Sequence, residues 1–164
     1  MEKAQNTEGG GFTLNADEIQ KHIMGKMPEN DRDAVRRVVL AGMKVLFSKE
    51  THNQIFDNIR PEDQVPLEDE LGAGAANLMM MLYQESKQTM PQQAIIPAGA
   101  ILLARACEFI HQTKIAPVTD DIYAEAMQMF TVVMYDKFDP NFRSKAGQTA
   151  QPAQKPAGLL AQEA

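Results

Sequence analysis

The three histidines, His22, His52 and His111, are the first residues to consider as metal ligands or proton carriers. They fall on three different predicted helices, and none has a second histidine one helical turn away. A zinc site needs several such ligands that converge on one point. Glu108 precedes His111 by three residues, a spacing that is more typical of a surface ion pair on a helix. The histidines therefore predict no metal site.

Carboxylates occur in two clusters, within residues 62–70 and within residues 120–125. General acid–base catalysis needs two carboxylates in different environments across a cleft. Consecutive acids at the start of a helix are more simply explained by the helix dipole, which favours negative charge at that end. The first cluster also lacks the alternating ligands and central glycine of a calcium loop. We therefore interpret both clusters as solvated helix starts.

Cys107 is the only cysteine, so the chain has no intramolecular disulfide, and a reducing compartment is expected. Its neighbours Ala104, Ala106 and Ile110 indicate a buried helix face, where a thiol acts as a small apolar filler. Neither glycine-rich stretch, at residues 9–11 and 72–74, has the context of a phosphate-binding loop, and no serine stands in a nucleophile elbow. We expect no catalytic residue, no cofactor and no bound metal, and hence a protein that is not an enzyme.

Composition favours a small intracellular protein of one domain. The chain has 164 residues and a net charge of −6, with 16 Lys and Arg scattered among 22 acids. Nucleic-acid binders usually present a basic face, so no direct contact with nucleic acid is expected. The N-terminus lacks the apolar segment of a secretory signal, and the longest apolar run, residues 94–104, is too short to span a bilayer.

Helical periodicity runs through the chain, and no segment alternates like a strand. We predict an all-α fold, a small bundle of about five to six helices with flexible N- and C-terminal segments. Residues 1–14 are a flexible N-terminal arm, residues 15–140 the helical domain, and residues 141–164 a disordered tail rich in Pro, Gln and Ala. Helix caps are predicted at Asn15, Asn30, Ser48 and Thr119. A further helix is predicted to start at Leu67, and another to have Pro97 in its first turn. The predicted helix ends are residues 27, 59, 87, 112 and 138.

An interaction surface is predicted on the helix of residues 67–87. Three successive methionines point in directions about 100° apart, so a small domain covers one or two of them and leaves an apolar patch for a partner. The alternative is that this helix lies at the centre of the bundle, wrapped on all sides. Leu159 and Leu160, at the end of the tail, form a second predicted docking element. The predicted interface consists of Gly72, Ala76, Met79, Met80 and Met81.

Three blocks of the sequence carry a resemblance to a known class of proteins. They are residues 37–48 (RVVLAGMKVLFS), 94–104 (AIIPAGAILLA) and 117–127 (PVTDDIYAEAM), followed by a Pro- and Gln-rich tail that contains Gly-Leu-Leu. Over residues 30–140 the chain resembles small helical virion-associated proteins of tailed bacteriophages, some of them packaged inside the head or placed near the portal. The motifs are apolar helix patterns, so no functional residue is carried over.

The resemblance implies a structural or ejected virion component without catalysis, made in the host cytoplasm. Its expected partners are further copies of itself or other virion proteins, and it would meet a membrane only if ejected into the host envelope. Two other hypotheses stay open. One is a cytoplasmic, non-viral helical adaptor or assembly chaperone that binds a protein partner. The other is an enzyme or ligand-binding bundle, which should place polar or ionisable groups facing inward.

Overall fold

Within the residues that the computed structural model describes, 11–58 and 65–138 with the side chains of 54–58 excepted, the chain is entirely helical apart from its turns. The all-α class is therefore confirmed. The chain divides into two compact units, Met1–Thr131 and Val132–Ala164. The single helical domain predicted over residues 15–140 stays a prediction. The helices are α1 (Ala16–Lys26), α2 (Glu29–Leu46), α3 (Lys49–Asn58), α4 (Leu67–Glu85), α5 (Gln92–Thr113) and α6 (Asp120–Phe138).

Three of the predicted helix caps are present. The side chain of Asn15 accepts hydrogen bonds from the amides of Asp17 and Glu18, at 2.9 and 3.2 Å. Ser48 Oγ accepts from the amide of Thr51, and Thr119 Oγ1 accepts from the amide of Ile122, both at 3.3 Å. Each cap satisfies an amide that has no partner inside its helix, which explains why α1, α3 and α6 begin where they do.

Two predicted helix starts are wrong. Asn30 lies inside the first turn of α2, and Pro28 occupies the cap position without a side-chain hydrogen bond. Pro97 lies inside α5, in its second turn, because the helix already begins at Gln92 behind Pro91. A proline so near the start of a helix removes only one backbone hydrogen bond, and the apolar contacts of the remaining helix outweigh that loss.

The ends of α4 and α5 are set by residues in the left-handed conformation. Lys87 and Gln88 follow α4 with φ of 54° and 62°, so this helix ends at Glu85 and not at Lys87 as predicted. Lys114 ends α5 with φ of 55°, and the amide of Ile115 donates to the carbonyl of Ile110 at 3.3 Å. These reversals direct the chain away from each helix axis without a glycine.

Helix α5 lies at the centre of the first unit. It packs against α1, α2 and α4, and α2 also packs against α3 and α4. By length and composition alone α5 is able to cross a membrane, but 61% of its most apolar window is buried within the protein. Its fully buried side chains fill the core, and they include Ile101, Leu102, Leu103, Cys107 and Ile110.

Close approach of the helices depends on glycines at three contacts. Gly42 of α2 lies against the side chain of Leu102, and Gly99 of α5 lies against the ring of Phe130. A Cβ atom at Gly72 of α4 would lie 2.6 Å from Met129 Cβ and 2.7 Å from the carbonyl oxygen of Ala126. The first unit is therefore assembled by direct contact between helix backbones and apolar side chains.

Candidate interaction surface

The predicted interface on α4 is largely buried within the chain itself. Gly72, Ala76 and Met79 are all buried. The Gly72 backbone meets Ala126 and Met129 of α6, so a helix of the same chain occupies the space that we assigned to a partner. These three residues are therefore removed from the predicted interface.

Two methionines remain at the surface of α4. Met80 is half-buried, and Met81 is 37% exposed. Since the buried face of α4 includes Met79 and Leu82, the neighbouring Met81 must point outward on a helix with 3.6 residues per turn. An interface on α4 is thus reduced to Met80 and Met81 and stays a prediction. Leu159 and Leu160 lie outside the described residues, so tail docking also stays a prediction.

Aromatic rings contact two of the histidines. The His52 ring meets the Phe109 ring edge-on with 4.6 Å between centroids, and Phe47 contacts the same ring at 5.6 Å. The His111 ring stacks on Phe12 at 4.4 Å. The expected ion pair of His111 with Glu108 is replaced by this stack. In the described part of the chain, no three His, Cys, Asp or Glu side chains are grouped to hold a metal ion.

Cys107 is buried in α5, and burial raises the pKa of its thiol to about 12. The hydroxyl of Tyr123 donates to the carbonyl oxygen of Ala100 at 3.2 Å. Burial, and secondarily the nearby Cys107, raises the pKa of Tyr123 to about 12. Both side chains are therefore neutral near pH 7, and Tyr123 uses its hydroxyl to join α6 to α5.

Residues 12–14, which we call the N-terminal clasp, are attached to the fold although the sequence predicts a flexible arm as far as residue 14. The amides of Thr13 and Leu14 donate to Asp120 Oδ1 at 3.0 and 3.1 Å, and the Thr13 hydroxyl donates to Asp120 Oδ2. The Thr13 hydroxyl is the main reason that the pKa of Asp120 lies below its usual value, and the two amides add to the shift. The clasp thus joins the chain preceding α1 to the start of α6.

A polar network continues the clasp along α1. Arg105 donates to Asp17 Oδ1 at 2.5 Å and to Gln20 Oε1 at 3.1 Å, and it also lies 3.8 Å from Glu108. The amide of Ala16 donates weakly to Glu108 Oε1 at 3.4 Å. Ala16 is the buried residue of α1, and these bonds and the clasp join the first turns of α1 to α5 and α6.

The sequence contains one local signal for the clasp. Leu14 immediately precedes the Asn15 cap, and Ile19 occupies the fourth helical position of α1. Apolar residues at these two positions are typical of a hydrophobic staple, which fixes the path of the chain into a helix. The role of Asp120 as acceptor had no such signal, because it depends on a contact between residues 107 positions apart.

The most exposed large apolar side chain in the described part of the chain lies on α2. Leu40 is 65% exposed, and Phe47, seven residues later, is 40% exposed. The exposed cations Arg36, Arg37 and Lys44 lie one helical turn before or after Leu40. Residues spaced by three, four and seven share one side of a helix. We call this set of five residues the outer face of α2.

Comparisons with protein-family models, with curated proteins and with solved structures found no match to this chain.

Proposed function

We propose that this chain is a non-enzymatic structural protein that works by helix packing, as a virion-associated component of a tailed bacteriophage. Its place in the particle would be internal, ejected with the genome, or at the head–tail junction. It acts on protein partners and not on a substrate.

The observation that supports the proposal is the position of the three blocks that carry the resemblance. Residues 37–48 supply the second half of α2, residues 94–104 the first half of α5, and residues 117–127 the start of α6. Gly42 of the first block packs against Leu102 of the second, and Tyr123 of the third bonds to Ala100 of the second. The resembling segments thus pack against one another as one structural unit, although they are distant in sequence.

Fractionation of a phage lysate tests the proposal. Particles from cells that produce the chain are purified by density gradient, washed in high salt and analysed by mass spectrometry. We expect peptides of the chain in the particle fraction at a constant ratio to the major capsid protein. A chain that is required for particle formation but absent from finished particles would instead be an assembly chaperone. A chain found only with soluble host proteins would contradict the proposal.

A further inference from the structure

We propose that the outer face of α2 binds the acidic corner of a second copy of this chain, so that copies associate head to tail. The acidic corner is defined as Val65, Glu68 and Asp69, at the start of α4. This inference rests on the proposed function for its biological setting and deepens it by naming the partner. It is testable on the purified protein alone.

Charge along the chain is strongly segregated between these two regions. Residues 34–49 contain Arg36, Arg37, Lys44 and Lys49 and no carboxylate. Residues 65–86 contain four carboxylates, at positions 68, 69, 70 and 85, and no Lys or Arg. In a chain with a net charge of −6, the part of α2 that follows Asp33 therefore carries only positive charge, and the start of α4 carries the opposite sign.

Each of the two regions also centres on an exposed apolar side chain. Leu40 is 65% exposed between its flanking cations, and Val65 is 54% exposed three and four residues before Glu68 and Asp69. An apolar centre with a charged rim is the usual anatomy of a protein–protein contact. Contact between the two would remove both apolar side chains from water and would bring opposite charges together around them.

The basic outer face is not used up by pairing within α2. Arg36 forms one ion pair with Asp33 at 2.9 Å, with both side chains more than half exposed. Such a surface pair is readily exchanged for another partner, because its net contribution to stability is small.

Each copy carries one basic outer face and one acidic corner, so a head-to-tail contact between two copies leaves one of each unoccupied at the ends. Such heterologous contacts extend into rings or filaments, whereas a two-fold dimer, in which each outer face meets the acidic corner of the other copy, stops at two copies. An average mass that rises beyond that of a dimer is therefore the result expected for head-to-tail contact.

Sedimentation velocity of the full chain, at increasing protein concentration and in low and high salt, tests the inference. The average mass should rise with concentration and fall with added salt, since opposite charges at the contact are screened. Leu40→Asp disables the basic outer face and Val65→Asp disables the acidic corner, and each variant alone should be monomeric. Both side chains are more than half exposed, so circular dichroism and thermal unfolding should match the unmodified protein.

Mixing the two variants tests whether the two regions bind each other. In the mixture, the intact acidic corner of Leu40→Asp meets the intact basic face of Val65→Asp, and two aspartates face each other at the remaining ends. We therefore expect dimers that do not grow further. Val132→Asp, at an exposed apolar residue of α6 outside both regions, is the matched control and should associate like the unmodified protein.

Four results would overturn the inference: a protein whose mass never exceeds that of a dimer, single variants that associate normally, a mixture that stays monomeric, or loss of association in Val132→Asp alone. Absence of the chain from phage particles would contradict the proposed function but would leave association of the purified protein intact. The two failures are therefore distinguishable.

Discussion

Cys107 shows how burial alone determines the chemistry of a residue in this chain. Its thiol lies in the core of α5, and burial raises its pKa to about 12. The thiolate is the reactive form, so the native protein should not react with a thiol reagent near pH 8. Reaction should begin only when denaturant unfolds the chain, with a midpoint equal to that of the circular dichroism signal. Rapid labelling of the native protein would contradict the buried position.

Gly72 and Gly74 lie two residues apart on α4 but should respond oppositely to a methyl group. At Gly72 a Cβ atom would meet the backbone oxygen of Ala126, which has little freedom to move, whereas nothing lies within 4 Å at Gly74. Gly72→Ala should lower the free energy of unfolding by about 1–3 kcal/mol through overpacking. Gly74→Ala should raise it by up to about 1 kcal/mol, because alanine favours the helix.

Urea unfolding of these two variants is the measurement, and each serves as the control for the other. Equal effects of the two substitutions would mean that α4 and α6 do not approach at Gly72. This contact is also the reason that most of the interface predicted on α4 is core.

At the scale of the helix, a residue other than glycine in the left-handed conformation at a helix end lowers the stability of the fold. Lys114 holds the left-handed conformation at the end of α5 with an exposed side chain. This conformation costs a residue with a Cβ atom roughly 1–2 kcal/mol, whereas glycine adopts it freely. After the greater entropy of glycine in the unfolded chain is subtracted, Lys114→Gly should raise the unfolding free energy by about 0.5–1 kcal/mol. Thermal unfolding checks this, with Lys114→Ala as a control that should show no gain.

The N-terminal clasp should depend on pH through Asp120. The pKa of Asp120 is lowered from its usual 3.8 in the folded protein, mainly by the Thr13 hydroxyl. The ionised carboxylate therefore adds stability at pH values above 3.8, and this contribution is lost as the pH falls through the lowered pKa. Amide NMR signals of Thr13 and Leu14 should change with a midpoint below 3.8.

Thr13→Val provides the control for this titration. It removes the hydroxyl donor, so the midpoint should move back toward the usual value for an aspartate. A midpoint that is the same in both proteins would show that Thr13 does not hold the carboxylate in solution.

Local signals in the sequence were sufficient for most helices but not for their contacts. Helix starts could be predicted from Asn15, Ser48 and Thr119, because a cap is a hydrogen bond between residues two or three positions apart. The helix start predicted from Pro97 was wrong, because the energy that keeps this proline inside α5 comes from packing against other helices. The side of α4 that is buried also depends on long-range packing, namely the contact of Gly72 with α6.

The outer face of α2 is a second feature that could not be predicted from local sequence signals. The spacing of Arg36 and Lys44 on the polar side was visible in the sequence, but the exposure of Leu40 beside them was not. From the sequence alone, a single apolar residue on a charged helix face is expected to be buried. Its exposure becomes known only when the surrounding helices are placed. The exposed residue therefore became a candidate for binding only in the folded structure.

At the scale of the whole molecule, three distant sequence blocks form one packed unit, and the first of them carries an outer face with its own charge and apolar centre. A structural protein needs these two properties: a core that holds its shape and a surface that fits a neighbour. The resemblance to virion-associated proteins and the proposed head-to-tail contact agree on this description. Both predict that the chain works as a component of an assembly and does not catalyse a reaction.

Quantitative mass spectrometry of purified phage particles tests this central claim most directly. Particles are made in cells that supply the unmodified chain, Leu40→Asp or Val132→Asp, and the copies per particle are measured against the major capsid protein. We predict a constant copy number for the unmodified chain and for Val132→Asp, and a severalfold lower number for Leu40→Asp. Absence of the unmodified chain from washed particles would contradict the account.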